Sequence, residues 1–201
     1  MTKGFRYLSG FLDGEAQSAV RGLLERAVAE APFFTPVMPR TGRPFTVRMT
    51  NLGTLGWVSD SIGYRYQPVH PETRRPWPEI PSEVLAVWRA VSSYPHDPEA
   101  CLVNYYAQGA RMGLHRDIDE QDMNAPVVSI SLGDTAIFRI GGLERKGRTQ
   151  TLKLASGDVV VLGGASRLRY HGVDRILTGT SALLPEGGRI NLTLRRVTRP
   201  G

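Results

Sequence analysis

The sequence predicts one α+β domain, mainly β, with a jelly-roll-like core made mostly by its C-terminal half. Three observations predict it. After residue 99 the chain is a series of short strand-like runs separated by glycine pairs and turn residues, the spacing of an antiparallel sandwich or barrel. Two stretches of helical periodicity come before that region, so both helices belong on the outside of a sheet. The chain has 201 residues, enough for one sizeable core and too few for two.

Phe5 to Leu8 reads as a short strand. Asp13 offers an N-cap side chain, and Ala16, Val20, Leu23, Leu24, Ala27 and Val28 follow at helical spacing, which predicts an amphipathic helix over 14–30. The prolines of "APFFTPVMPRTGRP" end it. "FTVRMTNLG" and "LGWVSDSIGYRYQP" read as strands joined by turns, and "PVHPETRRPWPEIP" is a proline-rich connector. Val84, Leu85, Trp88 and Val91 place a second helix over 82–93. The strand-like runs are then "ACLVNYYA", "MGLHRDID", "APVVSISLG", "TAIFRIGG", "TQTLKLA", "DVVVLGG", "RLRYHGV" and "RINLTLRRV". There is no internal repeat and no low-complexity tract.

Composition narrows the classes. Hydrophobic content of 41% and charged content of 22% are those of an ordinary soluble protein. No apolar run approaches ~18 residues, so no membrane span is expected. "MTKGFRYLSGF" lacks the apolar stretch of a secretory signal. The single cysteine, Cys101, forms no internal disulfide; it reads as a buried, inert thiol, and the expected compartment is the reducing cytoplasm. Twenty-five lysines and arginines against 19 acidic residues give a formal charge of +6, which suits a polyanion such as nucleic acid. No long heptad or apolar stripe demands a partner, so a monomer is expected.

The stretch "LHRDIDE" puts His115, Asp117 and Asp119 on alternate positions. If 112–119 is extended, all three share one strand face, and an imidazole and a carboxylate two residues apart can bind one metal ion. A third ligand would complete a 2-His-1-carboxylate triad with open positions. His70 and His96 sit beside prolines in connector sequence, whereas His171 lies in the strand-rich half, which makes it the best third ligand. A lone His-x-Asp also fits a surface strand, so other features must decide.

"RINLTLR" is the strongest of them. Ile190, Leu192 and Leu194 share one face; Arg189, Asn191, Thr193 and Arg195 share the other. A surface strand alternates in the same way. Here the polar face carries two arginines about 20 Å apart around an amide, able to hold the ends of a short dicarboxylate or to anchor a metal-bound carboxylate. "LVNYYA" adds Asn104 and Tyr106, with Leu102 on the same face. "GWVSDSIGYRYQP" supplies Trp57, Tyr64 and Tyr66, with Arg65 between the tyrosines; aromatics in a basic setting stack bases, and they also make hairpin cores. Arg145 and Lys146 lie in a loop, as solvated charges or as phosphate contacts.

In order along the chain, "TNLGTLGW", "PWP", "NYYAQGARMGLHRDIDE", "VVSISLG", "IFRIGGLER", "GDVVVLGGASRLRYHG" and "RINLTLR" resemble the AlkB-type iron(II)- and 2-oxoglutarate-dependent dioxygenases, the bacterial repair demethylases. The resemblance covers about three-quarters of the chain. It implies a double-stranded β-helix (jelly-roll) core over 99–201, with residues 1–98 as a helical and lid extension of the same 1–201 domain. It implies Fe(II) held by His115, Asp117 and His171, with 2-oxoglutarate and O₂ as cosubstrates. Asn104, Tyr106, Arg189, Asn191 and Arg195 fall on the 2-oxoglutarate positions, Arg189 at the distal carboxylate and Arg195 nearer the metal. Trp57, Tyr64, Arg65 and Tyr66 fall on a nucleotide-recognition lid, and Asp119 and Arg145 on substrate contacts. The implied reaction is oxidative demethylation of bases of the 1-methyladenine and 3-methylcytosine type in single- or double-stranded DNA, with RNA also open. Its coproducts are formaldehyde, succinate and CO₂. Two positions depart from the family: Leu162 stands where a tryptophan is expected beside the metal, and Tyr105 where a basic residue is expected.

Other readings compete. The substrate of such a dioxygenase can be tRNA, other RNA, a protein or a small molecule. A non-catalytic nucleic-acid-binding barrel could keep His-x-Asp, but has no use for an intact Arg189/Asn191/Arg195 face. A zinc hydrolase could use the three ligands, but leaves the paired arginines unexplained.

Overall fold

A computed structural model describes residues 4–200; residues 1–3 and 201 of the expected 1–201 domain lie outside it. Twelve strands run through it: β1 Phe5–Leu8, β2 Arg48–Gly53, β3 Gly56–Asp60, β4 Gly63–Gln67, β5 Ala100–Tyr106, β6 Met112–His115, β7 Val127–Gly133, β8 Thr135–Ile140, β9 Gln150–Leu154, β10 Val159–Leu162, β11 His171–Leu177 and β12 Arg189–Arg195. Two helices, α1 Gly14–Glu30 and α2 Ser82–Val91, precede β5. Antiparallel pairing builds a six-stranded sheet in the order β1-β10-β7-β12-β5-β2, a four-stranded sheet in the order β6-β11-β8-β9, and the separate hairpin β3-β4. The interleaved order of two facing antiparallel sheets is that of a jelly roll. Residues 1–98 contribute more than helices and a hairpin, because β1 and β2 form the two edges of the larger sheet.

The large sheet is covered on both faces. Its outer face sets Cys101, Val103, Val128, Ile130, Leu132, Val159, Val161, Ile190, Leu192 and Leu194 against Val20, Leu24 and Ala27 of α1 and Val84, Val87, Trp88 and Val91 of α2. α1 starts at Asp13, whose Oδ1 accepts from the Ala16 amide at 2.9 Å, and stops just before Pro32. The inner face joins the smaller sheet through Leu102, Tyr106, Val127, Val160, Phe138, Ile140, Val173 and Ile176. Burial on both sides explains why "VVVL" and "ACLV" are continuously apolar rather than alternating. Among the described residues, no helix is long and apolar enough to cross a membrane. Cys101 is a buried free thiol, pushed up to about 12 by burial.

Three expected strands differ from those observed. "MGLHRDID" is extended only as far as His115, so Asp117 and Asp119 sit in a loop. "RLRYHGV" is not a strand before His171; Gly164–Ser166 form a 3-10 turn and Arg167 is buried beneath it. In both places the backbone leaves the sheet where a buried charged side chain must turn inward, as the site below shows. The second helix ends at Val91 rather than 93, and "FTVRMTNLG" pairs only from Arg48.

β6 and β11 approach unusually closely. A Cβ on Gly172 would stand 2.5 Å from the Met112 carbonyl oxygen and 2.8 Å from that of Gly113. Gly172→Ala should therefore push β6 away from β11 and lower the free energy of unfolding by about 1–3 kcal/mol, the usual range for overpacking a buried site. A urea titration checks this; an unchanged midpoint would show that β6 yields freely.

Candidate active site and metal centre

Between the sheets opens a cavity of about 530 Å³. Its chemistry comes from a local switch in pattern. On β12 the residues facing it are Asn191, Thr193 and Arg195; on β5, Leu102, Asn104 and Tyr106; on β7, Val127 and Ser129. The same strands point Leu192, Val103 and Ile130 at the helices. Period-two alternation thus divides each strand between an apolar outer core and a polar inner wall.

His115 and His171 are direct cross-strand partners on β6 and β11, so their side chains leave on the same side. Their rings lie 4.6 Å apart between centroids. Each ring is oriented by the backbone two residues before it: His115 Nδ1 meets the Gly113 carbonyl at 2.9 Å, and His171 Nδ1 meets the Arg169 carbonyl at 3.0 Å. A carbonyl only accepts, so Nδ1 carries the proton and both Nε2 atoms keep a lone pair. The loop after β6 carries Asp117 to them, with Oδ1 3.9 Å from His115 Nε2 and Oδ2 3.7 Å from His171 Nε2. The three donor atoms lie within 4.8 Å of one another.

These residues fit a metal ion. Asp117 Oδ2 is buried with no hydrogen-bond partner, and two imidazole lone pairs face it. Burial alone would push the Asp117 carboxyl up; Arg195, with the two histidines and Arg167, overrides it and holds the carboxyl well below its usual range. The metal-facing carboxylate is therefore ionised.

The groups on and behind the adjoining wall fit a dianion. Arg195 donates from Nη2 to Asp117 Oδ1 at 3.0 Å, while its Nη1 has no hydrogen-bond partner. Arg189, with no exposed surface, donates to the carbonyls of Asp134 and Leu154 and to Ser131 Oγ, and its Nε has no partner. Among the described residues no carboxylate lies within ion-pair distance of Arg189, and burial pushes it down to about 10. Asn104 Oδ1 is also buried without a partner. Unmatched polar groups of this kind, donors on the arginines and an acceptor on Asn104, are costly unless a ligand or water completes them. Burial pushes the Tyr106 phenol up to about 12, so it stays a neutral donor.

At the mouth, Trp57 on β3 stacks on Tyr64 of β4 with ring centroids 5.5 Å apart and planes 17° from parallel. Its Nε1 donates to Asp119 Oδ2 at 2.8 Å. Arg145 and Leu162 also line the cavity.

Three expected site residues do not reach the cavity wall. Arg65 points to the other face of the hairpin, where it forms a bidentate pair with Asp60 at 2.8 and 2.9 Å. Tyr66 lies behind the wall with its hydroxyl on Glu120. Arg189 is fully buried and is not part of the lining. Tyr105 faces outward, under the Arg48 guanidinium at 4.8 Å.

Matches to known proteins agree with this geometry. The family model of the 2OG-Fe(II) oxygenase superfamily matches residues 4–195. The chain belongs to that superfamily. A Caulobacter vibrioides protein named alpha-ketoglutarate-dependent dioxygenase AlkB homolog is 54% identical over 193 residues, covering 96% of this chain and 87% of that one. The Escherichia coli K12 protein named alpha-ketoglutarate-dependent dioxygenase AlkB is 41% identical over 200 residues, covering 98% and 91%. The solved structure of OsALKBH1 superposes with a TM-score of 0.80 at 32% identity, covering 98% of both chains. This oxygenase is thus an iron(II)- and 2-oxoglutarate-dependent dioxygenase of the AlkB type, with the jelly-roll fold expected of one.

Two buried residues of the oxygenase carry no sequence expectation: Glu120 and Arg167. Arg167 donates to the carbonyls of Ala125 and Asp117 at 2.9 and 2.7 Å and to Glu120 Oε2 at 2.9 Å. It thereby fixes the loop that holds Asp117. The signal in the sequence is slight: Glu120 ends "LHRDIDE", and Arg167 stands in an otherwise strand-like run.

Two outcomes follow for the metal-free and metal-loaded protein. Burial, with help from His115, pushes the His171 imidazole from 6.5 down to about 4, against the pull of Asp117. The unfolded chain takes up this proton near pH 6.5, the folded chain only near pH 4. Stability is therefore full above pH 6.5 and is lost as the pH falls from 6.5 to 4, by about 3 kcal/mol at most from this residue. Urea midpoints of the metal-free protein should drop across that window, and drop less in His171→Ala. Added Mn(II), as an air-stable substitute for iron, should raise the unfolding free energy by about 2.7 kcal/mol at a hundred times its Kd. That gain should vanish in Asp117→Ala and be reversed by a chelator; a full gain in Asp117→Ala would remove Asp117 from the ligand set.

Proposed function

We propose that this oxygenase removes methyl groups from ring nitrogens of nucleic-acid bases, as a direct reversal of alkylation damage. One observation carries the reading. A tryptophan stacked on a tyrosine and hydrogen-bonded to a carboxylate stands at the mouth of a cavity whose floor is two histidines and an aspartate. Stacking suits any base, and the carboxylate selects a base that is cationic, as 1-methyladenine and 3-methylcytosine are.

His115, Asp117 and His171 would hold Fe(II). Arg195 would bind the 2-oxoglutarate carboxylate nearer the metal and Arg189 the distal one, with Asn104, Tyr106 and Asn191 between them. Iron(II) with 2-oxoglutarate and O₂ supplies the oxidation of the methyl C–H bond to a hydroxymethyl group, which leaves as formaldehyde beside succinate and CO₂. The protein's residues do the rest. Trp57, backed by Tyr64, stacks on the base, Asp119 accepts from its exocyclic amine, and Leu162, Val160 and Phe138 keep the cavity wall apolar and short of water. A methyl group inside a duplex cannot reach this floor, so the base is extruded or comes from a single strand.

The rim fits a polyanion. Arg145 lines the cavity, Arg116 lies 4.9 Å over the Tyr170 ring beside it, and the chain carries a formal charge of +6. Alkylated DNA is the proposed substrate, with RNA compared in the same assay. The free buried thiol of Cys101 suits the reducing cytoplasm, and the lack of a long heptad or apolar stripe in the sequence suits a monomer.

With Fe(II), 2-oxoglutarate and ascorbate, an oligonucleotide carrying 1-methyladenine or 3-methylcytosine should lose one methyl mass. The test is run on single- and double-stranded DNA and on RNA, and an unchanged mass throughout would overturn the proposal. Trp57→Ala should raise KM by the ~1–3 kcal/mol of one base–aromatic stack, roughly fivefold to 150-fold. Asp119→Asn should reduce the preference for cationic lesions over neutral ones.

A further inference from the structure

Three segments that must stay in register meet at one buried carboxylate. Glu120 lies three residues past Asp117, outside any strand, and is buried. Its Oε2 accepts from Arg167 Nη2 at 2.9 Å. Its Oε1 accepts from the Tyr66 hydroxyl on the β3–β4 hairpin and lies 3.4 Å from Arg195 Nε. A phenol from the hairpin over the mouth and a guanidinium from the cavity floor therefore address the same oxygen. Arg195 meanwhile holds Asp117 through Nη2 and has no hydrogen-bond partner at Nη1.

We infer that Glu120 is a positioning residue that couples the β3–β4 hairpin to occupancy of Arg195, so that an anion bound at Arg195 tightens the hairpin over the cavity. The inference rests on the proposed reading of Arg195 as the binder of a 2-oxoglutarate carboxylate. A carboxylate at Nη1 draws the guanidinium toward itself. The contact between Nε and Glu120, already long at 3.4 Å, weakens. Arg167, itself anchored on the Ala125 and Asp117 carbonyls, keeps Glu120 from following. Oε1 is then left to Tyr66, and a charge-assisted bond in a low-dielectric interior strengthens. Tyr66 is the cross-strand partner of Trp57. Fixing Tyr66 thus fixes Trp57 and its bond to Asp119. Coupling is reciprocal, so a base held by Trp57 favours the anion by the same factor.

The test needs no nucleic acid. Amide hydrogen exchange of residues 56–67 is measured with Mn(II) present, with and without 2-oxoglutarate, while calorimetry reports its binding. In the wild type, 2-oxoglutarate should slow exchange across the hairpin roughly fivefold, the low end of couplings between sites. Tyr66→Phe should still bind 2-oxoglutarate and lose the slowing. Glu120→Gln, which keeps the size of the side chain and removes its charge, should bind and show a reduced slowing. A merely structural strut would speed exchange equally in both states and leave the ratio unchanged. An unchanged ratio in Tyr66→Phe, or a wild-type hairpin indifferent to bound 2-oxoglutarate, overturns the inference. Absence of 2-oxoglutarate binding in the wild type overturns both it and the reading of Arg195. A coupled hairpin in a protein that fails to demethylate any oligonucleotide would remove the proposed substrate and leave this inference standing.

Discussion

The ion pair between Arg195 and Asp117, 3.0 Å long and enclosed in the sandwich, is the constraint on which the site depends. Removing two charges from water costs several kcal/mol each, and their attraction repays this only when the remaining donors and acceptors are also met. Here they are met by more charge: Glu120 faces Arg195, and Arg167 faces Glu120. Each member is placed by another, so the loop from 116 to 126 needs no regular hydrogen-bond ladder to hold Asp117 in position. Among the described residues, the buried side-chain atoms left without a hydrogen-bond partner are Asp117 Oδ2, Asn104 Oδ1 and nitrogens of Arg189 and Arg195, all of them on or next to this cavity.

A sandwich can contain such an interior because its larger sheet draws its apolar burial from elsewhere. α1 and α2 cover the outer face and form a second core with Leu192, Leu194, Ile130 and Val103. The inner face of the same strands is thereby free to be polar. The helices, remote from the chemistry, are what allow β12 to turn Arg189, Asn191, Thr193 and Arg195 inward.

That division was legible in the sequence wherever one strand carried it. "RINLTLR" shows both faces at a glance, and "LVNYYA" repeats the pattern; the structure sets these strands side by side, with Asn191 opposite Asn104. His171 could be chosen over His70 because strand-rich sequence surrounds it, and His70 proves to be buried in a turn, bonded to the Pro32 carbonyl and the Glu72 and Thr73 amides. What alternation could not show lies where the chain leaves the sheet. His115 and Asp117 were expected on one strand face, yet the strand stops between them. Arg167 was read as part of a strand because its neighbours are strand formers, and nothing local marks it as the clamp of a loop 42 residues away. Arg65, flanked by two lid tyrosines, was read with them; period two turns it away, and Asp60 takes it up. Long-range charge partners have no period, so they leave no trace in a single sequence.

Charge also explains why the cavity can receive two ionic ligands of opposite sign. Asp117 and Glu120 balance Arg167 and Arg195, so the inner cluster is neutral before anything binds. A divalent cation alone would leave an uncompensated double charge beside Arg195, and a dianion alone would sit against Asp117. Together they restore neutrality in that cluster, and Arg189, behind it, has no carboxylate in ion-pair range among the described residues. In a medium where unit charges 4 Å apart interact by about 4 kcal/mol even at an effective dielectric constant of 20, this balance weighs as much as any single contact. The paired arginines and the His-Asp-His cluster are therefore one electrostatic unit, and neither is intelligible as a site without the other.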